Sequence, residues 1–238
     1  MGLWVVATFV AFYIKGLCGF ANTLVFTSIL GFGVSNVGIS PVELIIGYPT
    51  NLILTWKHRN DLDKKVYLPL AILVILGSMP GAFLLKNVDA KYIKVVFGFL
   101  VILLGVEMYL REISRIQFKE SRIALGIIGV LSGVICGLFG VGALLAAYVG
   151  RVVGTTNEFK ANISAVFIVE NTFRMILYSI IGIITVSSLK QALILLPFML
   201  MGLFLGIKSS ELLIESTAKR VVIVLLIISG ISLVLKNI

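Results

Sequence analysis

The sequence predicts an all-α polytopic membrane protein of two repeats, each a glycine-broken helix followed by three transmembrane helices. Three observations carry that prediction. Hydrophobic residues make up 59% of the 238, charged residues only 13%, and mean hydropathy is +1.12. Apolar windows long enough to cross a bilayer follow residue 40, centred near Leu52, Leu76, Leu103, Ile168, Leu196 and Leu225; about 20 residues at ~1.5 Å each span the hydrocarbon core. Glycines also recur at a fixed spacing. Gly77, Gly81 and Gly105 reappear 125 positions later as Gly202, Gly206 and Gly230, which is how an internal duplication reads.

The first element, residues 3–33, contains "AFYIKGLCGFANTLVF" with Lys15 in an apolar run. Its "GLCGFANTLV" matches "GLFGVGALLA" in residues 123–150 at a shift of 121, which aligns Gly16 with Gly137 and Gly19 with Gly140. Each flank of these glycines holds about 12–14 residues, or ~20 Å of helix, too little to cross alone. Two arrangements follow. Each segment is either one broken span, giving parallel repeats, or a hairpin that dips in and returns, giving inverted repeats. The loop lysines and arginines divide 10 against 8 in the first arrangement and 13 against 5 in the second. Positive-inside asymmetry favours hairpins. The 57–65 and 111–122 loops, with 151–160 and 208–220, are then cytoplasmic and both termini lie outside. The organisation expected is a first membrane repeat over 1–110, a basic linker over 111–122 and a second repeat over 123–238.

Several function classes fall away. The longest charged stretches, "KHRNDLDKK" and "REISRIQFKESR", are loops, and "MGLWVVATFV" lacks the basic region and cleavage site of a signal peptide. The net charge of +9 sits mostly in loops, where it orients the protein in the lipid bilayer; no nucleic-acid partner is expected. His58, the single histidine, lies in a charged loop with Asp61 and Asp63, so neither an intramembrane protease nor a metal site is expected. No enzyme activity and no cofactor are expected, and no G-x-x-x-x-G-K-[ST] nucleotide loop is present.

The two glycine-rich segments, the loop "WKHRNDLDKKVYLPL" and "GSMPGAFL" before the next helix resemble the TauE/SafE sulfite exporter family across 3–110 and 123–236. That resemblance implies transport of small sulfur-containing or carboxylate anions such as sulfite, sulfonates or thiosulfate. A secondary transporter for such anions is therefore expected, with H+ or Na+ as coupling ion and a homodimer allowed. The alternative is a passive anion channel or a non-transporting membrane subunit.

Binding an ion at mid-membrane needs polar groups inside apolar segments. Lys15 offers an ammonium beside the first break. Gly16, Gly19, Gly137 and Gly140 permit helix breaks that expose N–H groups suited to an oxyanion, close approach of two helices, or both. At a shift of 120, Thr50-Asn51 of "YPTNL" aligns with Glu170-Asn171 of "VENTFRM", so the Asn51 and Asn171 amides would face the tips. Asn22 and Thr23 would complete the ring. Glu170 and Arg174 stand four apart, an arrangement suited to an intrahelical salt bridge; a sharper reading gives Arg174 the anion and Glu170 a coupled proton. Glu43 and Glu107 are expected near helix ends at an interface. Cys18 and Cys136 are read as small apolar fillers.

Overall fold

The computed structural model describes residues 1–31, 34, 36–87, 122–140 and 142–212, with scattered positions between 92 and 110 and between 220 and 235. Glu107 and the linker 111–121 lie outside the described residues. Helix α1 (Gly2–Cys18) stops at Gly19, whose φ of 85° is left-handed and whose N–H returns to Lys15 O. Glycine takes that conformation without the Cβ clash other residues meet. After Phe20 and Ala21, α2 (Asn22–Leu30) begins. The second half repeats the device. Helix α5 (Arg122–Phe139) ends at Gly140, φ 72°, with its N–H on Cys136 O, and α6 (Ala143–Val152) follows.

The breaks therefore fall at Gly19 and Gly140. Gly16 and Gly137 lie inside helices and serve the second of the two uses open to them, close packing. A Cβ on Gly16 would strike Leu203 O and Ile207 N, and one on Gly137 would strike Ser78 O and Ala82 N. They are contact points where two helix backbones meet, which hydrogen allows and a methyl forbids.

The remaining long helices are α3 (Asn36–Lys57), α4 (Lys64–Asn87), α7 (Thr156–Ile180) and α8 (Val186–Leu212), with a 3-10 turn at Arg59–Asp61. Helix α7 starts in a capping box, Thr155 accepting from Glu158 N while the Glu158 carboxylate reaches back. The stretches Lys64–Leu85, Thr156–Ile180 and Val186–Glu211 are long and apolar enough to cross a membrane. On α4 the exposed side chains Leu68, Ile72, Leu76, Met79 and Phe83 repeat every three or four residues. That is a lipid-facing stripe. The interior, by contrast, holds buried polar and charged groups, which marks the bundle centre as the functional region.

Helix directions decide how the broken segments run. Gly202 of α8 sits on Phe9 and Tyr13 of α1, and Gly206 on Tyr13 and Gly16, so α1 and α8 are parallel. Leu54 of α3 packs with Leu203 and Ile207, and Lys57 Nζ meets Glu211 Oε1 at 2.7 Å, so α3 is parallel to both. Two parallel helices joined through α2 require α2 to return between them. In the second half, Gly129 meets Leu73, Gly133 meets Gly77 and Gly137 meets Gly81, which makes α5 parallel to α4. Helix α7 follows α4 in the same sense, from the Asp63 N–Asn162 Oδ1 bond to the Ser78 Oγ–Glu170 Oε1 bond. Helix α6 is thus also a return. Each broken segment is a helical hairpin.

Helices α3 and α7 are antiparallel, since Tyr48 pairs with Thr172 and Asp61 with Asn162. Hence α1 and α5, aligned by the 121 shift, point in opposite directions. One end of the bundle collects the 57–65 loop and, with it, the starts of α5 and α7 and the end of α8. There Arg59 lies 5.0 Å over the exposed Trp56 ring, an arrangement suited to a membrane–water interface. His58, at the same end, is held below its ordinary pKa by partial burial and then by the charges of Lys160 and Lys57.

Candidate functional site

The hairpins enter from opposite ends and their tips meet. Residues 20–24 of the first tip, Gly140 and Gly142 of the second, and Phe167 of α7 enclose one cavity of about 10 Å³. Such a volume has room for about one water. Both returning helices start there. Ala21, itself left-handed at φ 71°, precedes α2, and Gly142 precedes α6; neither carries a side-chain cap. The first-turn N–H groups and the positive end of each short helix are therefore available to an anion at the recess.

Lys15 is buried to 1% exposure, so it does not snorkel to an interface. Its Nζ stands 5.9 Å from the centre of the Phe167 ring, within cation–π range, and has no hydrogen-bond partner among the described residues. An ammonium out of water, with an aromatic face beside it and the Glu43 carboxylate near but outside salt-bridge contact, is only partly compensated. The ring it lies against lines the recess.

Glu43 overturns the expectation that it lies at an interface: it is 2% exposed and sits between the tips. Its Oε1 accepts from Asn22 Nδ2 at 2.5 Å and Thr23 Oγ1 at 2.7 Å. Its Oε2 faces the second tip, where a Cβ built on Gly140 would come within 3.1 Å of it. The first tip thus places both of its polar side chains on one carboxylate, and that carboxylate reaches across to the other tip. The sequence held the signal, a lone acid in the apolar stretch before "YPTNL", but α3 begins earlier than the hydropathy window suggested. Glu43 is two turns inside it.

Arg174 locks the second tip. Its Nη1 donates to Cys136 O at 2.7 Å and its Nη2 to Asn171 Oδ1 at 3.0 Å. Its Nε lies 3.2 Å from Glu170 Oε1, yet the geometry does not make a hydrogen bond, so that contact is an ion pair only. Tyr178 donates to Gly137 O at 2.8 Å. Both bonds reach carbonyls in the last turn of α5, the Arg174 bond adding a second donor to Cys136 O beside Gly140 N, and the guanidinium complements the negative end of that helix. At the first tip Lys160 reaches Gly16 O at 3.4 Å and Ser210 Oγ at 3.2 Å.

With this geometry in view, the family comparison is direct: the model of "Sulfite exporter TauE/SafE" matches residues 4–233. The chain belongs to the TauE/SafE sulfite exporter family. Comparison with curated proteins and with solved structures returns no significant match. Membership of the TauE/SafE family covers both hairpins and every helix described above.

Within this TauE/SafE chain, the predicted residues separate into two groups. Asn22, Thr23 and Gly140 line the recess, with Gly19 at the turn beside it and Lys15 behind Phe167. Thr50, Asn51 and Asn171 do not line it. Thr50 Oγ1 donates to Gly47 O, one turn back in a helix that also contains Pro49. The Asn171 amide oxygen is taken by Arg174, and Asn51 Oδ1 is buried without a partner among the described residues. Cys18 donates to Ile14 O at 2.9 Å as an intrahelical filler. Phe167, Lys160 and Tyr178 escaped the sequence reading because aromatic and terminal basic residues are common in membrane helices.

Proposed function

We propose that the protein is a secondary transporter of a small anion, sulfur-containing or carboxylate, bound where the hairpin tips meet. One observation carries this reading: two oppositely directed hairpins converge on one recess, with the buried Lys15 ammonium against the Phe167 ring that lines it. Uncapped helix starts and Lys15 supply positive potential from both halves, which suits an oxyanion and repels a cation. The recess admits about one water, so a sulfite-sized anion enters only when the tips separate. That need for movement favours a carrier over an open channel.

The opposed directions of α1 and α5 support reading residues 1–110 and 123–238 as inverted repeats joined by the 111–122 linker. The basic end of the bundle is then cytoplasmic and the N-terminus outside. Arg174 and Glu170 serve this site by fixing the second tip, and Asn171 by orienting Arg174. The test is counterflow of labelled sulfite and thiosulfate into liposomes containing the purified protein. Saturable exchange stimulated by anion on the far side is expected, reduced at least tenfold by Lys15→Met. Flux that follows the gradient without such stimulation would make the protein a channel.

A further inference from the structure

Five charged side chains are buried around the tips: Lys15 on α1, Glu43 on α3, and Lys160, Glu170 and Arg174 on α7. Their formal charges sum to +1. A dianion added to that set leaves a net negative charge at low dielectric, which is costly unless a proton comes with it. Two carboxylates are present to take the proton, and their surroundings differ. Glu170 is an ion-pair partner of Arg174, with its Oε1 also accepting from Ser78. Glu43 has only neutral donors, Asn22 and Thr23, and both occupy Oε1. Its Oε2 is left facing Gly140 at the recess, where a proton can be held without breaking either bond.

From this we infer that the anion crosses together with a proton carried on Glu43, whose carboxyl spans the two hairpin tips. The inference rests on the transport reading above and adds the coupling ion to it. The titratable and charged groups facing Glu43 are Lys15 from α1, Cys136 from α5, and Glu170, Arg174 and Tyr178 from α7. In the empty site the ionised carboxylate balances Lys15. When a dianion arrives, a proton settles on Oε2, the anion replaces the carboxylate as counter-ion of Lys15, and the set is left neutral rather than at −1. On release to the other side the anion leaves and the proton departs from Oε2 to the same compartment.

The test uses thiosulfate, a fully ionised anion near neutral pH, so that lumenal acidification reports protons moved by the protein. Liposomes carrying the purified full-length protein and a trapped pH dye receive an inward thiosulfate gradient. The wild type is expected to acidify the lumen as it takes up anion. Glu43→Gln should lose at least nine-tenths of the acidification relative to its own thiosulfate uptake. Glu170→Gln, if it folds, should keep the acidification relative to its own uptake. Uptake by the wild type without acidification, alongside normal counterflow, overturns the inference and leaves the transport reading intact. No counterflow of either thiosulfate or sulfite by the wild type overturns the transport reading, and the inference falls with it. If Glu43→Gln does not fold, the wild-type acidification still decides, joined by uptake at imposed pH gradients in Thr23→Val, which retains the carboxylate and should retain coupling.

Discussion

The two hairpin tips share a backbone and differ in chemistry. Each ends a helix on a left-handed glycine, Gly19 or Gly140, and each starts a short return helix at the recess. At the 121 shift, however, Lys15 corresponds to Cys136, Asn22 to Ala143 and Thr23 to Leu144. The first tip carries an ammonium and two neutral donors; the second carries none of these and is instead held by Arg174 and Tyr178 from α7. The two hairpins enter from opposite ends, the polar side chains gather on the first tip, and the second is braced from α7.

The sharpest way to break this contrast is to remove the brace. Arg174→Ala removes the donor to Asn171 Oδ1, one of the two donors to Cys136 O, and the ion-pair partner of the Glu170 carboxylate. Breaking a buried pair from one side costs about 3–5 kcal/mol. Thermal unfolding in detergent, followed by size exclusion, should show a large loss of folded protein.

At the first tip the opposite sign is expected. Lys15→Met removes an ammonium that lacks a hydrogen-bond partner among the described residues, and a central lysine costs about 2.5–3.5 kcal/mol on insertion scales. The variant should unfold at a higher temperature while losing transport, and a fall in stability would place Lys15 with the structural residues.

The glycines sharpen the comparison further. Gly19→Ala and Gly140→Ala both force a side chain into a left-handed backbone, at about 1–2 kcal/mol. The Gly19 methyl meets the flexible Lys160 side chain at 2.8 Å, whereas the Gly140 methyl meets Arg174 Nη1 at 2.5 Å. Unfolding temperatures should rank Gly140→Ala below Gly19→Ala. The smallest effect is expected from Thr23→Val, which removes one of the two hydrogen bonds on Glu43 Oε1 and leaves Asn22 in place. A loss of about 1 kcal/mol should appear in denaturation, with transport retained at a reduced rate.

The sequence reading placed the breaks within a few residues, because a glycine doublet in an apolar run marks a weak point in a helix. It could not separate the two uses of glycine. Gly16 and Gly137 serve close packing, while Gly19 and Gly140 serve a positive φ, and a missing side chain looks the same in both cases. The Glu170–Arg174 pair was legible from its four-residue spacing. Glu43 was not, since no cap or polar boundary advertises where α3 begins, and its partners Asn22 and Thr23 are about twenty residues away on another helix.

By itself the sequence determined the solvent this protein folds in, its helical content and the two weak points, because hydropathy, helix length and glycine conformation are local properties. It also recorded a glycine spacing shared by the two halves. Only the tertiary structure decided that the broken segments are hairpins, because helix direction emerges from packing α1 on α8 and α5 on α4. It alone brought residues 15, 22, 23, 43, 140 and 167 to one place. Those positions come from five helices and turns, and their meeting is set by backbones closing on shared glycines rather than by any motif a linear reading can see.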